Sequence, residues 1–121
     1  MVEPANTVWG RWVHQHTHHE PFEPERGWAF ESSGPLSGAN GALPWIVFER
    51  DRAQFDAEFP LLRVERVEYH TPVRYLLSGG VSMRQLVPDW SFGVLTWCER
   101  MLAPLNRWLG MFMTVHVRKQ G

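Results

Sequence analysis

The chain has 121 residues, with 12 Lys and Arg against 13 Asp and Glu and a formal net charge of −1. That length suits one domain with a modest core, and the charge balance lacks the basic surplus of a nucleic-acid footprint. Hydrophobic residues reach 44% and include seven Trp and seven Phe, more large rings than a surface can carry, so a core or a ligand cleft must bury them.

Cys98 is the single cysteine; it excludes an internal disulfide and fits a reducing compartment. The opening MVEP lacks the basic and apolar regions of a signal peptide. Asp89, Glu99, Arg100 and Arg107 interrupt the apolar stretch from Leu86 to Val117, so no membrane span is expected. The expected location is cytoplasmic.

Met1 to Pro4 reads as the end of a strand. Asn6 and Thr7 offer helix caps before the short apolar stretch Val8 to Val13, which Gly10 weakens as a helix. His14-Gln15-His16-Thr17-His18-His19-Glu20 follows. His14 and His18 share a face in a helix; His14, His16 and His18 share a side in a strand. Three uses stay open for this run: imidazoles with Glu20 around a metal ion, His18 or His19 as a general base near neutral pH, or a polar lip on a cleft. No Cys or carboxylate at matching spacing supports the metal, and none is expected.

Pro21 and Pro24 mark an extended passage. Glu25 to Asn40 is loop-rich, and its anchors Trp28, Phe30 and Leu36 suit either a lid over a small-molecule pocket or a packed surface loop. Branched and aromatic residues in Gly41 to Arg50 favour a strand from Pro44 or Trp45, with a helix as the alternative. Asp51 caps a short helix to Phe59, and Pro60 ends it. Leu61 to Tyr69 is the organising strand, and with the two preceding segments it reads as a βαβ unit of a parallel sheet. Pro72 pushes Thr71 towards extended geometry, and Ser78-Gly79-Gly80 is a break that allows positive φ.

Ser82 caps a short helix to Leu86, closed by Pro88. Asp89 or Ser91 then caps a longer helix, kinked at Pro104 and ended by Gly110. Its stripe of Val94, Trp97, Cys98, Met101, Leu102, Leu105, Trp108 and Leu109 has helical spacing and is expected to pack on the sheet, with a membrane or partner surface as the alternative. Met111 to Arg118 alternates as a closing strand.

The segments VEP (2–4), HHEPF (18–22), PLSGANGALPWIVFERDRAQFDAEFP (35–60), EYHTPVRYLLSGGVS (68–82) and APLNRWLGMFMTVHVRK (103–119), in this order, resemble the C-terminal half of a class I S-adenosylmethionine-dependent methyltransferase domain of the small-molecule type. The resemblance implies a single, incomplete α/β domain with a partial Rossmann-like sheet that ends in an antiparallel strand and takes its ligand at the carboxyl ends of the strands. Val2 to Pro4 would leave a central strand, Asp51 to Phe59 would be a late crossover helix, Leu61 to Tyr69 the sixth strand, and Met111 to Arg118 the last. Residues 11–40 would form a histidine-rich and loop insertion, and 81–110 a helical insertion. The family's glycine-rich turn and its acidic second-strand end have no counterpart here, and Met1 falls where the family has an interior apolar residue.

The resemblance therefore implies the substrate-side half of a methyltransferase, inactive alone and using S-adenosylmethionine only when the missing half is supplied. His18, His19 and Glu20 would lie at the catalytic end, Trp28 and Tyr75 would wall the pocket, and Arg74 would clamp an anion. The expected partners are a small-molecule substrate and either a second copy or a chain with the missing N-terminal half; no nucleic acid is expected. The alternative is a non-catalytic interaction or oligomerisation module with a Trp-rich apolar face.

Overall fold

A computed structural model describes residues 1–18, 20–29, 39–79 and 84–121. Its element order is β1 (Val2–Pro4), α1 (Val8–Thr17), α2 (Leu43–Trp45), a π turn (Ile46–Arg50), α3 (Arg52–Glu58), β2 (Leu62–His70), α4 (Arg74–Leu77), α5 (Phe92–Leu102), α6 (Asn106–Leu109) and β3 (Phe112–Lys119). Single 3-10 turns precede α5 (Asp89–Ser91) and α6 (Ala103–Leu105). The architecture is mixed α/β. One three-stranded sheet has the order β1-β3-β2, with β3 antiparallel to both neighbours.

Because both outer strands oppose β3, β1 and β2 run the same way and finish together: Pro4 and His70 both pair with Phe112. The apolar positions of β2 step from Val64 to Val67, an odd spacing that would send them to opposite faces. A register shift between Val64 and Arg66 absorbs the extra residue, so both stay on one side of the sheet. Val64, Met113, Val115, Ala5 and Phe55 form the buried core, with Trp45, Val47 and Phe48 packed against it. A smaller cluster of Phe22, Ala42 and Ile46 adjoins it through Trp28 and Trp45.

Four expectations are corrected. Residues 43–50 are helical, not a strand: the run is closed by a π turn in which the Asp51 N–H reaches Ile46 O at 2.8 Å. A one-sided demand from the core, met by Ile46, suits a helix better than a strand buried on both faces. The expected parallel βαβ unit is accordingly absent from the described residues, and β2 pairs with β3.

Thr71 takes φ 55° instead of extended backbone; the reversal after β2 overrides the steric preference set by Pro72. The apolar stripe on α5 and α6 does not pack on the sheet, since Val94, Trp97, Cys98, Met101, Leu105 and Trp108 are exposed and only Leu102 and Leu109 are half-buried. Ser82 and most of the expected lid, residues 30–38, lie outside the described residues. Gly79 has φ 93°, in keeping with the expected break.

Candidate functional site

The site is built where β1 and β2 end together. Phe112 opens β3 and, by strand alternation, lies on the face opposite Met113 and Val115. Around its ring stand Tyr75 (centroids 4.8 Å, edge-on), His14 (6.0 Å, edge-on) and His70 (6.4 Å, stacked). Three segments converge here because each is pinned separately.

Helix α1 starts at Thr7, whose Oγ1 accepts from Gly10 N (2.9 Å) and whose hydroxyl donates to Gly110 O (2.6 Å). The Trp9 indole donates to Pro72 O (2.6 Å), tying α1 to the turn after β2. The turn itself is held by Glu99 on α5. Its Oε1 accepts from Val73 N (3.0 Å) and Arg74 N (2.6 Å), two donors that a helix start leaves unsatisfied.

His14 is buried, and its Nε2 lies 3.0 Å from Met111 O. A carbonyl only accepts, so the proton sits on Nε2. Desolvation lowers the His14 pKa most; the Met111 hydrogen bond opposes this and the nearby His18 adds to it. His70 is held between hydroxyls, with Nδ1 2.9 Å from Thr71 Oγ1 and Nε2 2.8 Å from Thr114 Oγ1. Its pKa is also lowered, chiefly by desolvation. Both rings are thus biased to the neutral form, which can accept a proton or donate a hydrogen bond without bringing charge into the cluster.

His18 caps the carboxyl end of α1, with its ring 5.3 Å from that of His14. A crevice of about 30 Å³ is lined by His14, His18, Glu20 and Phe22, with Pro4 at the end of β1. Glu20 is exposed on its lip, and no hydrogen bond joins it to His18. His19 lies outside the described residues.

Tyr75 belongs to the cluster through Phe112. Arg74 sits one residue away, ion-paired with Glu99 Oε2 (3.3 Å), donating to Thr96 Oγ1 (3.1 Å), and placed over the Phe92 ring at 5.2 Å. Phe92 also lines an open cleft of about 340 Å³ between Ser78 and Leu95. Trp28 is elsewhere: its indole donates to Asp51 Oδ2 (2.9 Å), and it packs against both cores. Hydrogen bonds from Arg50 first, and from Trp28, hold the Asp51 carboxyl below its usual range against desolvation.

The fold therefore brings His14, His18, Glu20 and Tyr75 to one end of the sheet, Arg74 beside them, and leaves Trp28 apart. Sequence reasoning missed His70, Thr114 and Phe112 as members. The signal for them was the alternation of β3, which puts Phe112 and Thr114 on the face away from the apolar residues. Asn6, between β1 and α1, has its Oδ1 buried with no hydrogen-bond partner among the described residues. Among the described residues no three His, Cys, Asp or Glu side chains converge in the way a metal ion requires. No family model matches the chain, and no curated protein or solved structure matches it.

Proposed function

We propose that this chain is the substrate-side half of an S-adenosylmethionine-dependent methyltransferase for a small molecule, inactive by itself. The observation that carries the reading is the cluster around Phe112. Neutral histidines and aromatic rings gather where two co-directional strands end, the place where open α/β sheets bind ligands. The sheet also agrees with the strand roles implied by the resemblance: a strand exit at residues 2–4, a late strand at 62–70, and a last strand antiparallel to both. In this reading Tyr75 and Phe112 hold an apolar part of the substrate. His18, with Glu20 on the same crevice, is placed to take a proton from an attacking hydroxyl or amine, and the work of the site is positioning.

Nothing around Gly10 would cradle the adenosyl cofactor. Gly10, the first glycine after β1, is filled in by its own fold: a Cβ there would sit 2.6 Å from Ala5 O and 2.9 Å from Gly110 O. That glycine permits backbone packing and leaves no cradle for a ligand. The reading thus requires the cofactor turn to come from another polypeptide segment.

Calorimetric titration with S-adenosylhomocysteine tests it. The expected result is no heat for the chain alone, and binding once a polypeptide with the early strands of such a domain is added and forms a complex. A complex that forms and still gives no heat refutes the proposal. The exposed stripe on α5 and α6 favours, as a second reading, an interaction role for that face.

A further inference from the structure

The segment from Trp90 to Gly110 carries an apolar surface that the fold leaves uncovered. Trp90, Trp97, Met101 and Trp108 are 78, 63, 65 and 54% exposed, and Val94 and Leu105 are exposed beside them. At about 100° per residue, Val94, Trp97 and Met101 fall within roughly 60° of one another on α5. Glu99 lies on the other side of the same helix, buried against Arg74 and the α4 amides. The helix thus has two used faces, one inside the protein and one in solvent.

Charge decides what suits the outer face. Between Trp90 and Gly110 the exposed charged residues are Arg100 and Arg107, with exposed Asp89 adjoining Trp90 at the edge of the segment, and the span's one carboxylate, Glu99, is consumed internally. Outside this span the chain has more carboxylates than cations. A second copy docked face to face would bring two arginines from each chain into one interface with no carboxylate of this span to pair them, which disfavours a symmetric dimer. A bilayer surface has neither problem. It takes a convex stripe without a matching groove, seats indoles at headgroup level, and attracts exposed arginines when its lipids are anionic. No helix among the described residues is long and apolar enough to cross a membrane, so α5 and α6 would lie in the interface plane.

We propose that the Trp90–Trp108 face binds the surface of an anionic lipid bilayer, through its tryptophans and methionine with Arg100 and Arg107 as the electrostatic contacts. This surface is distinct from the Phe112 cluster and stands whether or not the chain is a methyltransferase half.

The test is flotation of the full chain with phosphatidylcholine vesicles and with vesicles that also contain phosphatidylglycerol, together with sedimentation of the lipid-free protein. Binding is expected to the anionic vesicles and to be much weaker to neutral ones, with a blue shift of tryptophan emission. At about fivefold per arginine, Arg100→Gln with Arg107→Gln should weaken anionic binding by roughly thirtyfold. Trp97→Glu with Met101→Glu should abolish it while leaving the far-UV circular dichroism unchanged, because both side chains are already in water.

Equal binding to both vesicle types overturns the electrostatic part of the proposal. No binding of the unaltered chain overturns it entirely. So does a concentration-dependent dimer that Trp97→Glu dissolves, which would make the occupant another copy.

Discussion

Removal of the Glu99 carboxylate is the sharpest test of how the candidate site is held. Glu99 is 8% exposed and meets three donors: Val73 N and Arg74 N on Oε1, and Arg74 Nε on Oε2. Truncation to alanine leaves two backbone donors and one guanidinium short of an acceptor. Losing one partner of a buried ion pair costs about 3–5 kcal/mol, and a hydrogen bond to a charged group about 1.5–3 kcal/mol. Arg74 is 29% exposed at its side chain and keeps Thr96 Oγ1 and the Phe92 ring, which places the loss at the low end. The expected destabilisation for Glu99→Ala is about 3 kcal/mol, or roughly 10 °C in Tm for a domain of this size.

Glu99→Gln separates the two functions of the side chain. The amide oxygen still accepts from both backbone donors, but an NH₂ group replaces Oε2 opposite Arg74. Its cost should be about 1–1.5 kcal/mol, the order of one net hydrogen bond. Urea unfolding followed by circular dichroism measures both. An alanine variant within about 0.5 kcal/mol of the parent, the range of ordinary surface changes, would show that Glu99 does not hold the turn. A glutamine variant as damaged as the alanine would show that charge alone matters and that the cap does not.

Three further outcomes are expected. His14 and His70 both have pKa values lowered in the folded state, so the unfolded chain binds more protons once the pH drops through the ordinary imidazole range. Stability is therefore present in full above the ordinary imidazole range and falls as the pH drops through it, and His14→Gln should flatten that slope; a urea midpoint that is constant or rises on acidification would contradict it. Tyr69 has its pKa pushed up to about 12 by desolvation first and then by Glu49, so in an ultraviolet titration one of the two tyrosines should ionise there. Its contribution to stability is intact below about pH 10 and is lost as the pH rises through 12; ionisation of both phenols near 10 would refute this. Gly10→Ala should destabilise by about 1–3 kcal/mol through overpacking against Ala5 O and Gly110 O, despite the roughly 1 kcal/mol of helix propensity it gains; a net stabilisation in urea would mean that the α1–Gly110 approach is loose.

Local chemistry in the sequence was enough for several elements. Alternation set β3, Thr7 was legible as a cap for α1, Pro60 as the stop after α3, and Gly79 as a site of positive φ, because each depends on a residue's own backbone geometry or on its immediate neighbours. The bulge in β2 was latent in the odd step from Val64 to Val67, though only pairing with β3 showed that the spare residue is absorbed there. Segment 43–50 was misjudged because β-branched and aromatic residues suit a buried helix as well as a strand, and the choice rests on a core that the local sequence does not contain.

The candidate site belongs to tertiary structure. Phe112 and Thr114 looked like ordinary strand residues, and His70 like part of the turn after the strand, until the order β1-β3-β2 brought the ends of β1 and β2 to one point beside α1. Gly10 and Gly110 show the same division. Sequence marks the first as a weak helix residue and the second as a helix stop, and Gly110 has an ordinary φ of −61°. Both are glycine because another segment's backbone lies where a Cβ would go: Ala5 O and Gly110 O at Gly10, and His70 N at Gly110. Sequence alone determined where elements start, stop and alternate, since those are short-range steric and hydrogen-bonding effects. Which residues share a site, and which apolar face stays in water, is a matter of long-range packing, and only the fold decided it.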